Sequence, residues 1–283
     1  MELILDKSFL HAVSSHEISE ISRNYFVIMP DVLFYELITT REDSRRRCFN
    51  NIPDLENPVA LLPGIGELLR YEINMKRPCI PLSERCLKGK YRFNTRLRDG
   101  TFQFFGEVSE ETVRLTAETE NYTRDFIEIC MIVDQFFPEI KGIPFKKFPC
   151  AIQAAKNKIA CNPDFIRSIY QSFIEHENSS SDWPTPSQID GDWAFFRRVQ
   201  CQLLAALRLF LRYQGRIPND AGVPFWTNAE HYLHDFYYLI FGTLTGALAS
   251  NDREVIEDFR LLCPKRILLT TLRRTTQEVK TSL

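Results

Sequence analysis

The chain has 283 residues, 44% of them hydrophobic, and a formal net charge of −2. This length and composition predict one large or two small packed domains and exclude a globally disordered chain. The near-neutral charge also excludes a polycation that binds nucleic acid with its whole surface, so any such contact must come from a local basic patch.

The eight cysteines are scattered, and none forms a Cys-x-x-Cys pair. Structural zinc sites use closely spaced ligand pairs, so this pattern favours buried free thiols in a reducing compartment. The N-terminus lacks the pattern of a signal peptide, and no run approaches the roughly 18 apolar residues of a membrane helix. We therefore expect a soluble cytoplasmic protein with no membrane contact.

The first 40 residues alternate between strand and helix patterns. The apolar run Leu3–Asp6 predicts a buried strand that ends in an acid, and the amphipathic "SHEISEISRNY" predicts a helix. The β-branched and aromatic run Tyr25–Pro30 predicts a second strand, which the helical pattern "DVLFYELITT" follows at once. This order is typical of an α/β fold with a parallel sheet.

The middle of the chain, 41–225, has a mainly helical pattern, with helices expected near 109–137, 146–160, 163–176 and 190–213. One part of it, near 90–107, alternates between apolar and basic residues around Asp99-Gly100, which predicts a β-hairpin. The last section returns to an α/β pattern, with two helices and the terminal strand "KRILLTTL".

Four acids lie at related places in these predicted elements. Asp6 ends the first strand, Glu36 lies in the helix after the second strand, Asp235 opens a late helix, and Asp252 follows a run of small residues. In a parallel sheet these places share one edge, where ligands bind. Crowded carboxylates repel each other unless a cation neutralises them, and oxygen ligands suit Mg²⁺ or Mn²⁺. Each acid taken alone is also explained as a helix cap or a surface charge.

Several of these segments resemble PIN-like domains. "LILDKSFL" is similar to their first strand, "VIMPDVLFYELI" to their second strand and the helix with its Glu, "DFYYLIFGTLTGALASND" to their late pair of aspartates, and "KRILLT" to their last strand. The resemblance implies a PIN-like parallel sheet flanked by helices. This core would be built from 1–40 and 226–283, with 41–225 as a large, mainly α-helical insertion that contains the hairpin.

The resemblance also implies a Mg²⁺- or Mn²⁺-dependent endoribonuclease. Asp6, Glu36, Asp235 and Asp252 would then be the catalytic and metal-binding residues, with Ser8 and Asn251 in support. The habits of the family suggest a toxin or phage-defence effector, regulated by an antitoxin or another protein partner.

The chain departs from the family pattern in three ways. Lys7 follows Asp6 where a small residue is more usual, "GALAS" is a weak strand, and the middle is far longer than a compact PIN-like domain needs. Two other functions therefore stay open. One is a non-catalytic PIN-like module that binds a partner, and the other is a DNA nickase or flap nuclease with the same site.

Basic residues and histidines near these segments have two interpretations. As candidates for contact with nucleic acid, RNA above all, we selected Arg45, Arg46, Arg92, Arg96 and Arg98. The alternative is that they form ordinary solvated faces. His231 and His234 are three positions apart, a spacing at which two histidines can bind one zinc ion. We expect them instead to border the acidic site or a solvated helix face.

Overall fold

The computed structural model describes residues 1–102, 107–176, 182–215 and 223–271. One sheet contains β1 (Glu2–Leu5), β2 (Phe26–Pro30), β3 (Ala60–Leu62), β4 (Ala247–Ala249) and β5 (Ile267–Leu269). All neighbouring strands are parallel, in the order β3-β2-β1-β4-β5. The predicted α/β class with a parallel sheet is confirmed.

Helices flank this sheet and fill the middle of the chain. In chain order they are α1 (Lys7–Ala12), α2 (Ser15–Asn24), α3 (Asp31–Thr39), α4 (Glu42–Asn51), α5 (Ile65–Met75), α6 (Thr95–Asp99), α7 (Glu107–Met131), α8 (Val133–Phe136), α9 (Phe148–Cys161), α10 (Pro163–His176), α11 (Ala194–Arg212), α12 (Val223–Thr245) and α13 (Arg253–Leu262). Short 3-10 helices cover Leu82–Glu84, Pro138–Ile140 and Phe145–Lys147. Among the described residues, no helix combines the length and apolar character needed to cross a bilayer.

The centre of the sheet is buried on both faces. Leu3, Ile4 and Leu5 of β1 are fully buried, as a strand covered by helices on either side requires. Helix α12 packs against β1 and β4. The helix approaches β4 closely at Gly242, which has no side chain. A Cβ atom at this position would lie only 3.2 Å from the Cβ of Leu248. This packing explains why a strand of small residues, weak by composition, forms here.

The predicted hairpin near 90–107 is wrong over the residues that the structure describes. Residues 90–94 have no regular structure, and Thr95–Asp99 form helix α6. The side chain of Asn94 caps this helix by accepting a hydrogen bond from the backbone N–H of Arg96 at 3.0 Å. Gly100, at φ +81°, ends it in the left-handed conformation, so Asp99-Gly100 terminates a helix instead of turning a hairpin. Residues 103–106 lie outside the described part.

The middle of the chain contributes a strand to the sheet and packs against the helices that cover it. Strand β3 comes from within 41–225 and pairs with β2. Helix α11 packs against α12, and its Arg208 reaches Asp258 of α13, with Nε 2.5 Å from Oδ2. Lys156 of α9 lies 3.0 Å from the other oxygen of this buried carboxylate. A partner on each oxygen satisfies the buried charge, which would otherwise be costly.

Candidate functional site

The sheet register brings the two ends of the chain together. Leu5 pairs with Ala249, and the backbone N–H of Asp6 donates to the carbonyl of Ala249 at 3.0 Å. Strands β2 and β3 lie on one side of β1, whereas β4 and β5 lie on the other. The carboxyl ends of β1 and β4 therefore form the topological switch point, where ligands bind in open α/β sheets.

Asp6 leaves β1 at this point and caps helix α1. Its Oδ1 accepts the backbone N–H of Ser8 at 3.0 Å, and its Oδ2 accepts the Ser8 hydroxyl at 2.6 Å and the Ser250 hydroxyl. The side chain is buried, and burial raises the pKa of its carboxyl to about 6, against the opposing effect of the hydrogen bonds from Ser250 and Ser8. Ser8 therefore contacts Asp6 directly, as the supporting role requires.

Asp252 is joined to Asp6 through the same two hydroxyls. Its backbone N–H lies 3.1 Å from Ser8 Oγ and 3.0 Å from Ser250 Oγ. Its own Oδ1 caps helix α13 by accepting the N–H groups of Glu254 and Val255 at 2.8 and 3.0 Å. The helix-cap interpretation of Asp252 is therefore confirmed, although this cap also lies at the switch point.

Asn251 completes the connection between the two ends. Its backbone N–H donates to Ser8 Oγ at 2.9 Å, so this hydroxyl oxygen accepts two backbone N–H groups while it donates to Asp6. Its side-chain amide donates to Thr271 Oγ1 at 2.7 Å and accepts the Thr271 N–H at 2.9 Å. Asn251 thus holds the segment after β5 beside the acids.

Asp235 does not open its helix but lies inside α12, which begins at Val223. Burial raises the pKa of its carboxyl well above the usual range, and the negative charges of Asp252, Asp6 and Glu36 add to this effect in that order. Within the described residues, Asp235 takes part in no hydrogen bond or ion pair. The structure therefore brings a third carboxyl under the electrostatic influence of the two terminal acids and leaves it uncompensated.

Glu36 on α3 has a different environment. Its Oε1 lies 3.5 Å from Lys7 Nζ and 3.4 Å from His234 Nδ1, and its Oε2 accepts the Tyr238 hydroxyl at 2.5 Å. Burial opposes ionisation of this carboxyl, but His234, Lys7 and Tyr238 together outweigh burial and lower its pKa to about 2. His234 therefore lies against Glu36, whereas His231 is on an exposed face of the helix.

Sequence reasoning missed Ser250 and Tyr238. Ser250 precedes the Asn-Asp pair, and its hydroxyl mirrors that of Ser8, which lies two positions from Asp6. Tyr238 follows His234 by four positions, the spacing that places two side chains on one helix face. Hydroxyl residues within a helical turn of a candidate acid are the signal that could have found both.

The donor set suits a hard cation in its chemistry. Within the described ranges, no group of three or more His, Cys, Asp or Glu side chains is already arranged around a metal position. Asp6, Asp235 and Asp252 offer only oxygen donors, which Mg²⁺ and Mn²⁺ prefer. Burial raises the pKa of Asp235 most and the neighbouring carboxylates raise it further, and a bound cation would relieve both effects.

Two of the candidate arginines bind backbone carbonyls of their own chain. Arg98 donates through Nη1 to the carbonyls of Phe49 and Ile52, both at 2.7 Å, and through Nη2 to that of Pro53 at 3.1 Å. Arg45 donates through Nη1 to the carbonyl of Ile38 at 3.2 Å. The guanidinium groups of Arg98 and Arg45 thus have partners within the fold, and their contact with nucleic acid stays a prediction.

The other candidate arginines are exposed. Arg46 lies 3.3 Å from Asp43, and Arg92 lies 3.7 Å from Asp54, in ion pairs that solvent screens. Arg96 on α6 is exposed as well. These three side chains remain candidates for contact with nucleic acid.

Comparisons of the chain with protein-family models, with curated proteins and with solved structures return no match. The resemblance to PIN-like domains therefore stays a prediction. The interpretation of function depends on the chemistry of the acids at the switch point.

Proposed function

We propose that this protein is a Mg²⁺- or Mn²⁺-dependent endoribonuclease of PIN-like type. One observation carries the proposal: at the switch point of a parallel sheet, the hydroxyls of Ser8 and Ser250 bind both the carboxylate of Asp6, after β1, and the backbone N–H of Asp252, after β4. Asp235 adds a third carboxyl, whose pKa is raised by burial first and by the charges of Asp252 and Asp6 after it. Asp235 forms no ion pair within the described residues, and acids gathered at a ligand-binding crevice in this way favour a bound divalent ion.

The residues that would hold the ion are Asp6, Asp235 and Asp252. When bound, the ion would lower the pKa of a water molecule and stabilise negative charge on a phosphodiester. Ser8 and Ser250 orient Asp6 through its oxygens. The cap on α13 uses Oδ1 of Asp252, and in the described part of the chain Oδ2 forms no hydrogen bond.

The substrate and setting follow from the resemblance and from charge. RNA is the proposed substrate, and Arg46, Arg92 and Arg96 are proposed to contact its phosphates, because their guanidinium groups are exposed. A toxin or phage-defence effector, regulated by an antitoxin or another protein, is the setting that the PIN-like family suggests.

The test compares nucleic acids and metals in one cleavage assay. Labelled single-stranded RNA, structured RNA and single-stranded DNA are incubated with the protein in Mg²⁺, in Mn²⁺ or in chelator. We expect metal-dependent cleavage of RNA, and we expect Asp235→Asn to abolish it while the variant keeps its fold. Glu230→Gln, which removes an acid from the same helix, is the matched control and should cleave as the parent does.

One observation favours a second function. Both oxygens of Glu36 are already engaged by side chains of the chain, and both oxygens of Asp6 accept hydrogen bonds. Acids satisfied in this way suit a non-catalytic PIN-like module that binds a protein partner. A folded protein that cleaves no substrate with either metal would favour this module, and cleavage of DNA alone would favour the nickase or flap nuclease.

A further inference from the structure

Glu36 differs from the other acids because the chain supplies it with a permanent cation. Lys7 Nζ lies 3.5 Å from Oε1, and the lysine side chain is 27% exposed, against 10% for Glu36. His234 Nδ1 lies 3.4 Å from the same oxygen, and the Tyr238 hydroxyl donates to the other oxygen at 2.5 Å. Each oxygen of this carboxylate therefore has a partner from the protein.

Helix α12 divides the acids into two groups. His234 and Tyr238 are four positions apart, so they project from the same face of the helix, and both contact Glu36. Asp235 belongs to the same helix but, within the described residues, takes part in no hydrogen bond or ion pair. Two side chains of α12 thus contact Glu36, whereas Asp235 has no such partner in the described part of the chain.

Lys7 lies at the switch point, directly after β1 and Asp6. Lys7 is the first residue of α1 and follows Asp6, whose side chain caps this helix. The backbone at Lys7 is therefore held by the same cap that orients Asp6, and its ammonium group lies next to Glu36. A divalent ion placed at Glu36 would lie only a few ångströms from this ammonium, and like charges at such distances repel strongly.

We propose that Lys7 is the resident cation of Glu36, so that Glu36 positions Lys7 instead of binding metal, and that the chain binds a single divalent ion through Asp6, Asp235 and Asp252. This inference rests on the proposed function and refines it, because it replaces the predicted metal-binding role of Glu36 with a positioning role. It also explains Lys7 at a place where the PIN-like pattern has a small residue.

The experiment measures the number of bound ions directly, without any substrate. Mn²⁺ is titrated into the full chain by calorimetry, for the parent and for Lys7→Met, Glu36→Gln and Lys90→Met. The last variant is the matched control, because Lys90 is 81% exposed and pairs with Glu56 at 3.1 Å on the surface. Circular dichroism and melting of each variant establish that it is folded, and Lys7→Gln replaces Lys7→Met if the latter does not fold.

We expect one ion per parent chain and one ion for Glu36→Gln with little change in affinity. Lys7→Met should bind a second ion, or bind the first about tenfold more tightly or better, because a positive charge next to the site is gone. Lys90→Met should match the parent.

Two ions in the parent, or loss of binding in Glu36→Gln, would overturn the resident-cation inference and leave the proposed metal-dependent function standing. A parent with no bound Mn²⁺ would overturn the proposed function itself, and the inference with it. Binding by Lys7→Met that equals that of the parent in number and affinity would also overturn the inference.

Discussion

Replacing Asp6 with asparagine should remove a pH-dependent loss of stability from the metal-free protein. Burial raises the pKa of Asp6 from 3.8 to about 6, so the folded state holds this proton more tightly than the unfolded state does. The contribution of the protonated acid to the free energy of unfolding is fully present below pH 3.8 and is lost as the pH rises through about 6. The difference between 3.8 and about 6 corresponds to roughly 3 kcal/mol.

Asparagine resembles the neutral acid in shape and cannot ionise. The free energy of unfolding of Asp6→Asn, minus that of the parent, should therefore rise by about 3 kcal/mol between pH 3.5 and pH 7. Glu36 has the opposite dependence, because its pKa is lowered from 4.5 to about 2 in the folded state. Its contribution to the free energy of unfolding is present above pH 4.5 and is lost as the pH falls from 4.5 through about 2. Glu36 and Asp235 are present in both proteins, so their contributions largely cancel in the difference.

The measurement is denaturant unfolding followed by circular dichroism, in chelator, at several pH values for parent and variant. Asp43→Asn is the control, because Asp43 is 93% exposed and its replacement should change the pH dependence little. A difference between Asp6→Asn and the parent that stays constant from pH 3.5 to pH 7 would contradict the raised pKa of the buried Asp6 carboxyl.

Glu72 accepts three backbone N–H groups, including those of Ala194 and Phe195 at the start of α11. Glu72→Gln should lower the free energy of unfolding by about 1–3 kcal/mol because one donor loses its acceptor, and an unchanged urea midpoint would refute this. Arg92→Gln with Arg96→Gln should weaken RNA binding and reduce its salt slope by up to about one per lost phosphate contact. Fluorescence anisotropy at several salt concentrations measures that slope, and an unchanged slope would return both arginines to the solvated surface. Arg98→Met is the contrasting variant, since it should lower the melting temperature through the lost carbonyl contacts.

Local patterns in the sequence were sufficient for much of the sheet. The continuous apolar runs at β1 and β2 and the run at β5 predicted strands correctly, because a strand buried between helix layers has to be apolar along its length. The placement of Asp6 at a strand end also followed from the sequence, since a charged residue directly after such a run marks its end, although the fold keeps this side chain buried. Which acids come to share one site depends on strand order, and only the folded sheet determines that order.

Tertiary packing decided what composition could not. β4, which has the weak strand composition Ala-Leu-Ala, forms where α12 packs closely on it at Gly242. β3 forms where it pairs with the edge of β2. Asp99-Gly100 terminates a helix because Asn94 caps a turn that composition alone assigned to a hairpin.

The chemistry of the site depends on partners that are far away in the chain. Asp6 and Ser250 are 244 positions apart, and Glu36 and Tyr238 are 202 positions apart. No periodicity or short motif encodes such pairs, because a buried carboxylate selects its partners only after the fold has excluded water and brought distant hydroxyls and amines within hydrogen-bonding distance. The sequence by itself determined which residues are acids at strand ends. The tertiary structure decided that Glu36 pairs with Lys7, whereas Asp235 has no ion pair among the described residues.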